Sequence, residues 1–427
     1  MTFKRVKNLK VGRAFTHHTS PMATPFLFWA TGVIGIVAGL GRLVSARQLL
    51  LLGVVGSGPI ISATHLFTLA GFTMVMMGAL YQLTPVLFDC DPLPFWRVFV
   101  QWALYSAGVG LFVISLSGHW FIGTLTGAAG LVAGLILYVI NFWERVRRRS
   151  TWNLTAWFFI SAVFYLSLTI IVGGLVAIHY TTGLLPFPNE LAIHLTIALG
   201  GWFGLLMVGA SFRLWNMFGR LHHEPRYWAL TAILIHLAIW VMVAGDLSQL
   251  SWLSRVGWGL QLAAFIFYSI DVAQGGLFDR RTMKDPALRA LFAAMFFLLL
   301  WEVLGSAGLF GQVRGVWIEA LLAYGLGWVG MTFMGFAQKI VPFIIWLHRY
   351  AYVRGKGKMP RLDDILIPAW AYGPIVGATA GLVGLLLGLW AHWDWLLTAG
   401  IILEMAGWLS LLAVGVRVVR GPHRRPQ

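Results

Sequence analysis

Apolar residues run through this chain in long blocks, separated by short stretches rich in Gly, Pro or charge. A helix needs about 20 mostly apolar residues to cross a bilayer. Twelve segments qualify, near 23–41, 60–86, 97–116, 121–142, 153–178, 190–217, 227–247, 253–275, 288–309, 317–347, 365–389 and 396–417. The least marked boundary is 42–58, where Arg42 and Arg47 interrupt Leu-rich sequence. The pattern predicts an all-α integral membrane protein. Residues 1–427 form a single membrane domain, with a basic arm at 1–22 and a tail at 420–427.

Composition agrees with the pattern. Hydrophobic residues make up 59% of the 427 and charged residues only 11%, against about a quarter in soluble domains. Charge then adds an orientation. The formal charge is +16, and 25 of the 31 Lys and Arg fall on one side of the predicted helices. They include Lys4 to Arg13, Arg145 to Arg149, Arg280, Arg281, Arg349 to Arg361 and Arg417 to Arg425. By the positive-inside rule both termini are cytoplasmic, in the inner membrane of a prokaryote. A nucleic-acid partner is excluded, because no basic face interleaved with exposed aromatics is present; the partner is the lipid bilayer. The basic arm lacks a following cleavage site and reads as a cytoplasmic anchor. The single cysteine, Cys90, excludes a disulfide within the chain, a Cys₄ cluster and covalent C-x-x-C-H haem.

Self-similarity comes next. Gly201-Trp-Phe-Gly204 and Gly209 in the sixth helix match Gly327-Trp-Val-Gly330 and Gly335 in the tenth, at an offset that also pairs Arg213 with Lys339. Gly78-Ala79 and Gln82 in the second helix match Gly209-Ala210 and Arg213. Three pseudo-symmetric four-helix repeats follow, approximately 23–150, 151–287 and 288–419. Small residues also let membrane helices pack closely, which accounts for most of the glycines.

Depth sorts the twelve histidines. His17, His18, His222, His223, His348 and His423 fall among basic residues on the inner side and read as solvated; His119 and His392 lie in short outer loops. His222-His223 resembles a copper pair, but 28 residues of mostly helix, roughly 40 Å, separate it from His194. Four remain at membrane depth: His65, His179, His194 and His236. Ionisable groups there are costly and default to functional hypotheses. His65 and His194 lie about one turn inside the outer ends of the second and sixth helices and share a depth. Two such imidazoles suit axial ligation of haem iron. Ala198 and Gly201 below His194 would leave room for a flat macrocycle, and Leu69 and Phe72 below His65 would pack its face. The alternative is that both histidines only hydrogen-bond between helices. Glu302 and Glu404 near mid-membrane, and Asp271 near an inner end, suit either a proton path or ion pairs with Arg213 or Lys339. Glu190 and Glu319 open helices, where the dipole alone accounts for them.

These features, with the stretches His65-Leu-Phe-Thr-Leu-Ala-Gly-Phe-Thr-Met74, Gly78-Ala-Leu-Tyr-Gln-Leu-Thr-Pro85 and Gly335-Phe-Ala-Gln-Lys-Ile-Val-Pro342, resemble subunit I of the haem–copper oxidase superfamily, in its divergent oxidase-like members. The NnrS family is a more remote relative in pattern. The resemblance covers nearly the whole chain and implies haem b, a cytochrome electron donor and respiratory partner subunits. His65 matches the family's low-spin haem ligand, and His194 lies on the helix where the family places a copper ligand. The family's H-x-H slot on the tenth helix is here Ala320-Leu321-Leu322, and Ala244-Gly-Asp246 stands where copper-binding histidines would be. Copper is therefore not expected. The expectation is a haem-binding membrane protein for electron transfer or diatomic-gas handling. A non-catalytic respiratory scaffold, a divergent oxygen or nitric oxide reductase, and a metal or small-solute transporter are the alternatives.

Overall fold

The computed structural model describes residues 19–219, 224–278, 284–311, 315–350 and 362–421. The basic arm up to residue 18, His222-His223, Arg220, Arg280, Arg281, Arg314, residues 351–361 and the tail beyond Gly421 lie outside the described residues. Within them the chain is helical, and no strand is present among the described residues. Twelve helices are long and apolar enough to span a membrane: α1 (Ala23–Leu51), α2 (Gly58–Phe88), α3 (Phe95–Ser117), α4 (Phe121–Arg147), α5 (Leu154–Thr182), α6 (Glu190–Trp215), α7 (Trp228–Ser248), α8 (Ser251–Gly276), α9 (Pro286–Leu309), α10 (Val316–Tyr350), α11 (Pro368–Trp390) and α12 (Asp394–Arg420). The protein is a multi-pass membrane protein.

One boundary departs from expectation. The first helix does not stop near residue 41 but runs to Leu51. Its added turns bury Leu43, Ala46 and Leu50 on one side. Arg47 points elsewhere, and its Nε lies 2.9 Å from Asp394 Oδ1 at the start of α12. The arginines that looked like an interruption are the polar face of a continuing helix.

The sequential pairs α3–α4, α7–α8 and α11–α12 pack closely, and glycine is the reason. A Cβ at Gly108 would sit 2.2 Å from the Leu131 nitrogen, and one at Gly388 would sit 2.3 Å from the Leu397 nitrogen. These are backbone atoms, which cannot move aside. Each pair turns on a residue with positive φ: His119 at 54°, Gln249 at 59° and His392 at 54°. The residue after it closes the turn by donating to a carbonyl five positions back, as in Trp120 to Ser115, Leu250 to Gly245 and Trp393 to Gly388.

α2, α6 and α10 share a second feature. Each begins as an α-helix and then widens into π-helical turns, at Leu66–Thr73, Thr196–Leu205 and Ala323–Gly330. A π-turn inserts an extra residue per turn and recurs at functional sites. All three runs carry glycine, and all three are largely buried.

Where the ends of α2 and α4 meet the start of α3, a polar network ties these three helices together. Arg97 reaches Glu144 Oε2 at 2.8 Å and donates to Asn141 Oδ1 at 2.9 Å. Asn141 donates to the Tyr81 hydroxyl at 3.1 Å, and Tyr81 donates to Gln101 Oε1 at 3.3 Å. Cys90, in the connection between α2 and α3, is 6% exposed. Burial pushes its thiol above the usual range, more than the neighbouring Arg145 pulls it down.

Two outcomes follow. Gly388→Val lowers stability by about 1–3 kcal/mol, read as a lower unfolding temperature of the detergent-solubilised protein. Cys90 stays unreacted with a thiol-specific reagent at pH 7, and its rate rises only as pH passes the ordinary thiol range of about 8.5; labelling against pH measures this.

Candidate functional site

The three widened runs meet at the centre of the bundle. Trp202 of α6 donates Nε1–H to Thr73 Oγ1 of α2 at 3.1 Å. Tyr324 of α10 donates its hydroxyl to the Leu199 carbonyl of α6 at 2.6 Å. Phe72 of α2 faces α10, where a Cβ at Gly330 would meet its ring at 3.6 Å. The contacts close a triangle. Tyr105 of α3 completes the α2 run by donating to the Leu69 carbonyl at 2.9 Å. Backbone groups of an altered helical ladder need such partners, since no water reaches them.

His65 and His194 stand where α-helix gives way to these runs, one residue before Leu66 and two before Thr196. His65 Nδ1 lies 2.8 Å from the Ile61 carbonyl. A carbonyl only accepts, so Nδ1 carries the proton and Nε2 of the uncharged ring keeps its lone pair. The edge of Phe112 packs on the ring at a centroid distance of 5.2 Å. His194 Nδ1 is buried and has no hydrogen-bond partner. Its ring fits only because residue 173 on α5 is glycine; a Cβ there would come within 2.8 Å of Cε1. Both rings are half-buried.

This arrangement fits axial ligation of a haem. The Nδ1 hydrogen bond of His65 leaves Nε2 as the donor atom to a metal, the usual way such a ligand is oriented. The glycine at 173 and the orphaned nitrogen of His194 also belong to a site that holds an imidazole without using up its polar atoms. The surrounding small residues behave differently from expectation. Gly201 does not open space for a macrocycle, because a Cβ there would lie 2.4 Å from Tyr165 Cγ, and the glycine serves the α5–α6 contact. Ala198 is buried. Phe72 turns toward Trp408, edge-on at 6.3 Å, away from a position beneath His65.

The other two intramembrane histidines have partners. His236 Nδ1 lies 2.8 Å from the Tyr165 hydroxyl. His179 Nδ1 is bonded to Glu190 Oε1. Glu190 therefore does more than begin a helix. Asp271 accepts from the backbone N–H groups of Arg226 and Tyr227, at 2.8 and 2.9 Å, and so caps the start of α7. Lys339 pairs with Asp285, and Arg213 is exposed. Neither cation pairs with a mid-membrane carboxylate. Glu302 accepts from Gln261 Nε2 at 3.3 Å, and Glu404 from Trp408 Nε1 at 2.9 Å; both keep one buried oxygen without a partner. His348, expected to be solvated, bridges the Ile344 and Ser20 carbonyls at 3.0 and 3.2 Å. No group of three His, Cys, Asp or Glu suited to a metal ion occurs among the described residues.

Three residues of this site escaped the sequence reading: Tyr105, Tyr165 and Tyr324. Each acts on a helix far away in sequence, and no local pattern marks such a partner. Glu190 had a signal, its four-residue spacing from His194.

No described family and no curated protein matches the sequence. Solved structures do match the fold. One, a heme–copper terminal oxidase dimer studied for its catalytic mechanism, superposes with a TM-score of 0.59 over 95% of this chain and 86% of that chain, at 10% identity. The fold is that of haem–copper oxidase subunit I.

Tyr165→Phe removes the partner of His236 Nδ1 and costs about 1–3 kcal/mol, read by thermal unfolding against wild type.

Proposed function

We propose that this membrane protein of haem–copper oxidase subunit I-like fold would bind one haem b, held by His65 and His194 for electron transfer, or by His65 alone for the handling of a diatomic gas. The observation that carries the reading is the pair itself. His65 and His194 stand at matched α-to-π junctions of α2 and α6, one with Nδ1 committed to a carbonyl and the other with a buried Nδ1 that has no protein partner.

Haem, when bound, supplies one-electron redox chemistry and binding of a diatomic ligand at any open axial position. The chain's own residues do the rest. The Ile61 carbonyl fixes the His65 ring and aims Nε2. Phe112 holds the same ring from its edge. Gly173 admits the His194 ring against α5. The apolar helices keep bulk water from the site.

The wider architecture belongs to the same proposal. The π-helical runs inside α2, α6 and α10 and the turns at His119, Gln249 and His392 fall one in each of 23–150, 151–287 and 288–419, which supports three pseudo-symmetric repeats within one membrane domain; α8 adds a further π-helical turn at its end, Ala273–Leu277. The charge distribution supports cytoplasmic termini in a prokaryotic inner membrane. A cytochrome donor or respiratory partner subunits would supply electrons. The reading includes no copper, since α7 carries Ala244-Gly-Asp246 at the position where paired histidines would stand.

An absorption spectrum of the purified protein tests it. Wild type shows a Soret band, His65→Ala and His194→Ala lose or shift it, and His236→Ala keeps it. A wild type without the band, or an unchanged band in His65→Ala, defeats the reading.

A further inference from the structure

The start of α6 carries more than one candidate ligand. Glu190 and His194 both belong to its opening α-helical turns, Glu190–Leu195. Residues four apart on a helix lie one above the other on a single face. That face looks onto α5 at both levels. Glu190 Oε1 is held by His179 Nδ1, and the His194 ring rests on Gly173, where a Cβ would come within 3.3 Å of Nδ1. The remaining polar atoms of the two side chains, Glu190 Oε2 and His194 Nδ1, are both buried and both without a partner. One is an acceptor and the other is a ring nitrogen able to donate. Buried polar groups are nearly always paired, and a single water between the two satisfies both.

We propose that Glu190 is the positioning residue of His194. Through a bridging water its Oε2 accepts the Nδ1 proton of His194 and leaves Nε2 for the metal, while His179 holds Oε1. The proposal rests on the haem reading above. It makes the two axial histidines unequal. His65 is oriented by a backbone carbonyl, His194 by a carboxylate. A carboxylate partner raises the basicity of an imidazole ligand more than a carbonyl does, and such outer partners affect metal affinity about 10–100-fold.

The experiment titrates haemin into haem-free, full-length protein in detergent and measures the midpoint potential of the loaded form. Glu190→Gln binds haemin about 10–100-fold more weakly than wild type, and its potential rises because the oxidised iron loses electron density from His194. His179→Ala moves both readouts in the same direction by less. Glu319→Gln, at the corresponding start of α10 with Ala323 four residues on, moves neither. If Glu190→Gln does not fold, His179→Ala decides alone. Wild-type affinity and potential in the folded Glu190→Gln protein overturn the positioning role and leave the haem reading standing. A wild type that takes up no haemin overturns both.

Discussion

Hydrocarbon offers no partner to a peptide group, so every N–H and C=O within the membrane must be satisfied by the protein. An unbroken α-helix meets this by itself. α2, α6 and α10 do not remain α-helical, and the rest of the molecule is arranged around that departure. Their widened turns sit at the centre, where neighbouring side chains can reach the backbone. Tyr105 and Tyr324 reach the Leu69 and Leu199 carbonyls. The end of α8 widens in the same way at Ala273–Leu277, and Trp215 donates to its Gly275 carbonyl; the faces of the outer helices present Leu, Ile, Trp and Phe outward.

The same constraint governs side chains. The buried polar groups that can be traced are spent in pairs: Lys339 with Asp285, His179 with Glu190, His236 with Tyr165, and Asp271 with the backbone ahead of α7. Against that background the uncommitted atoms stand out. The second oxygens of Glu190, Glu302, Glu319 and Glu404 and the Nδ1 of His194 are among the buried atoms left unpaired. Glu190 and His194 are neighbours on one helical face.

The twelve helices and the place of His65 and His194 near the starts of theirs were legible in the sequence because both depend on local, one-dimensional quantities: the length of apolar runs and the position of a residue within its run. What was not legible depends on distant partners. Arg47 looked like the end of a helix because Asp394, which accepts from it, lies 347 residues away. Gly201 looked like space for a ligand, but whether a glycine opens a cavity or closes a helix contact depends on its neighbour, here Tyr165. The shared glycine spacing of α2, α6 and α10 was visible in the sequence, whereas their shared π-helical geometry has no sequence signature beyond it.

The central triangle also has a mechanical meaning. Thr73–Trp202 joins α2 to α6, Leu199–Tyr324 joins α6 to α10, and Phe72 lies on α10 at Gly330. Each seam between these three helices is pinned at the same level. An alternating-access carrier opens one seam while it closes another, rocking rigid halves about a central site. Here such rocking would have to break these fastenings and strip partners from backbone carbonyls in a dry interior. The bundle is braced like a vault.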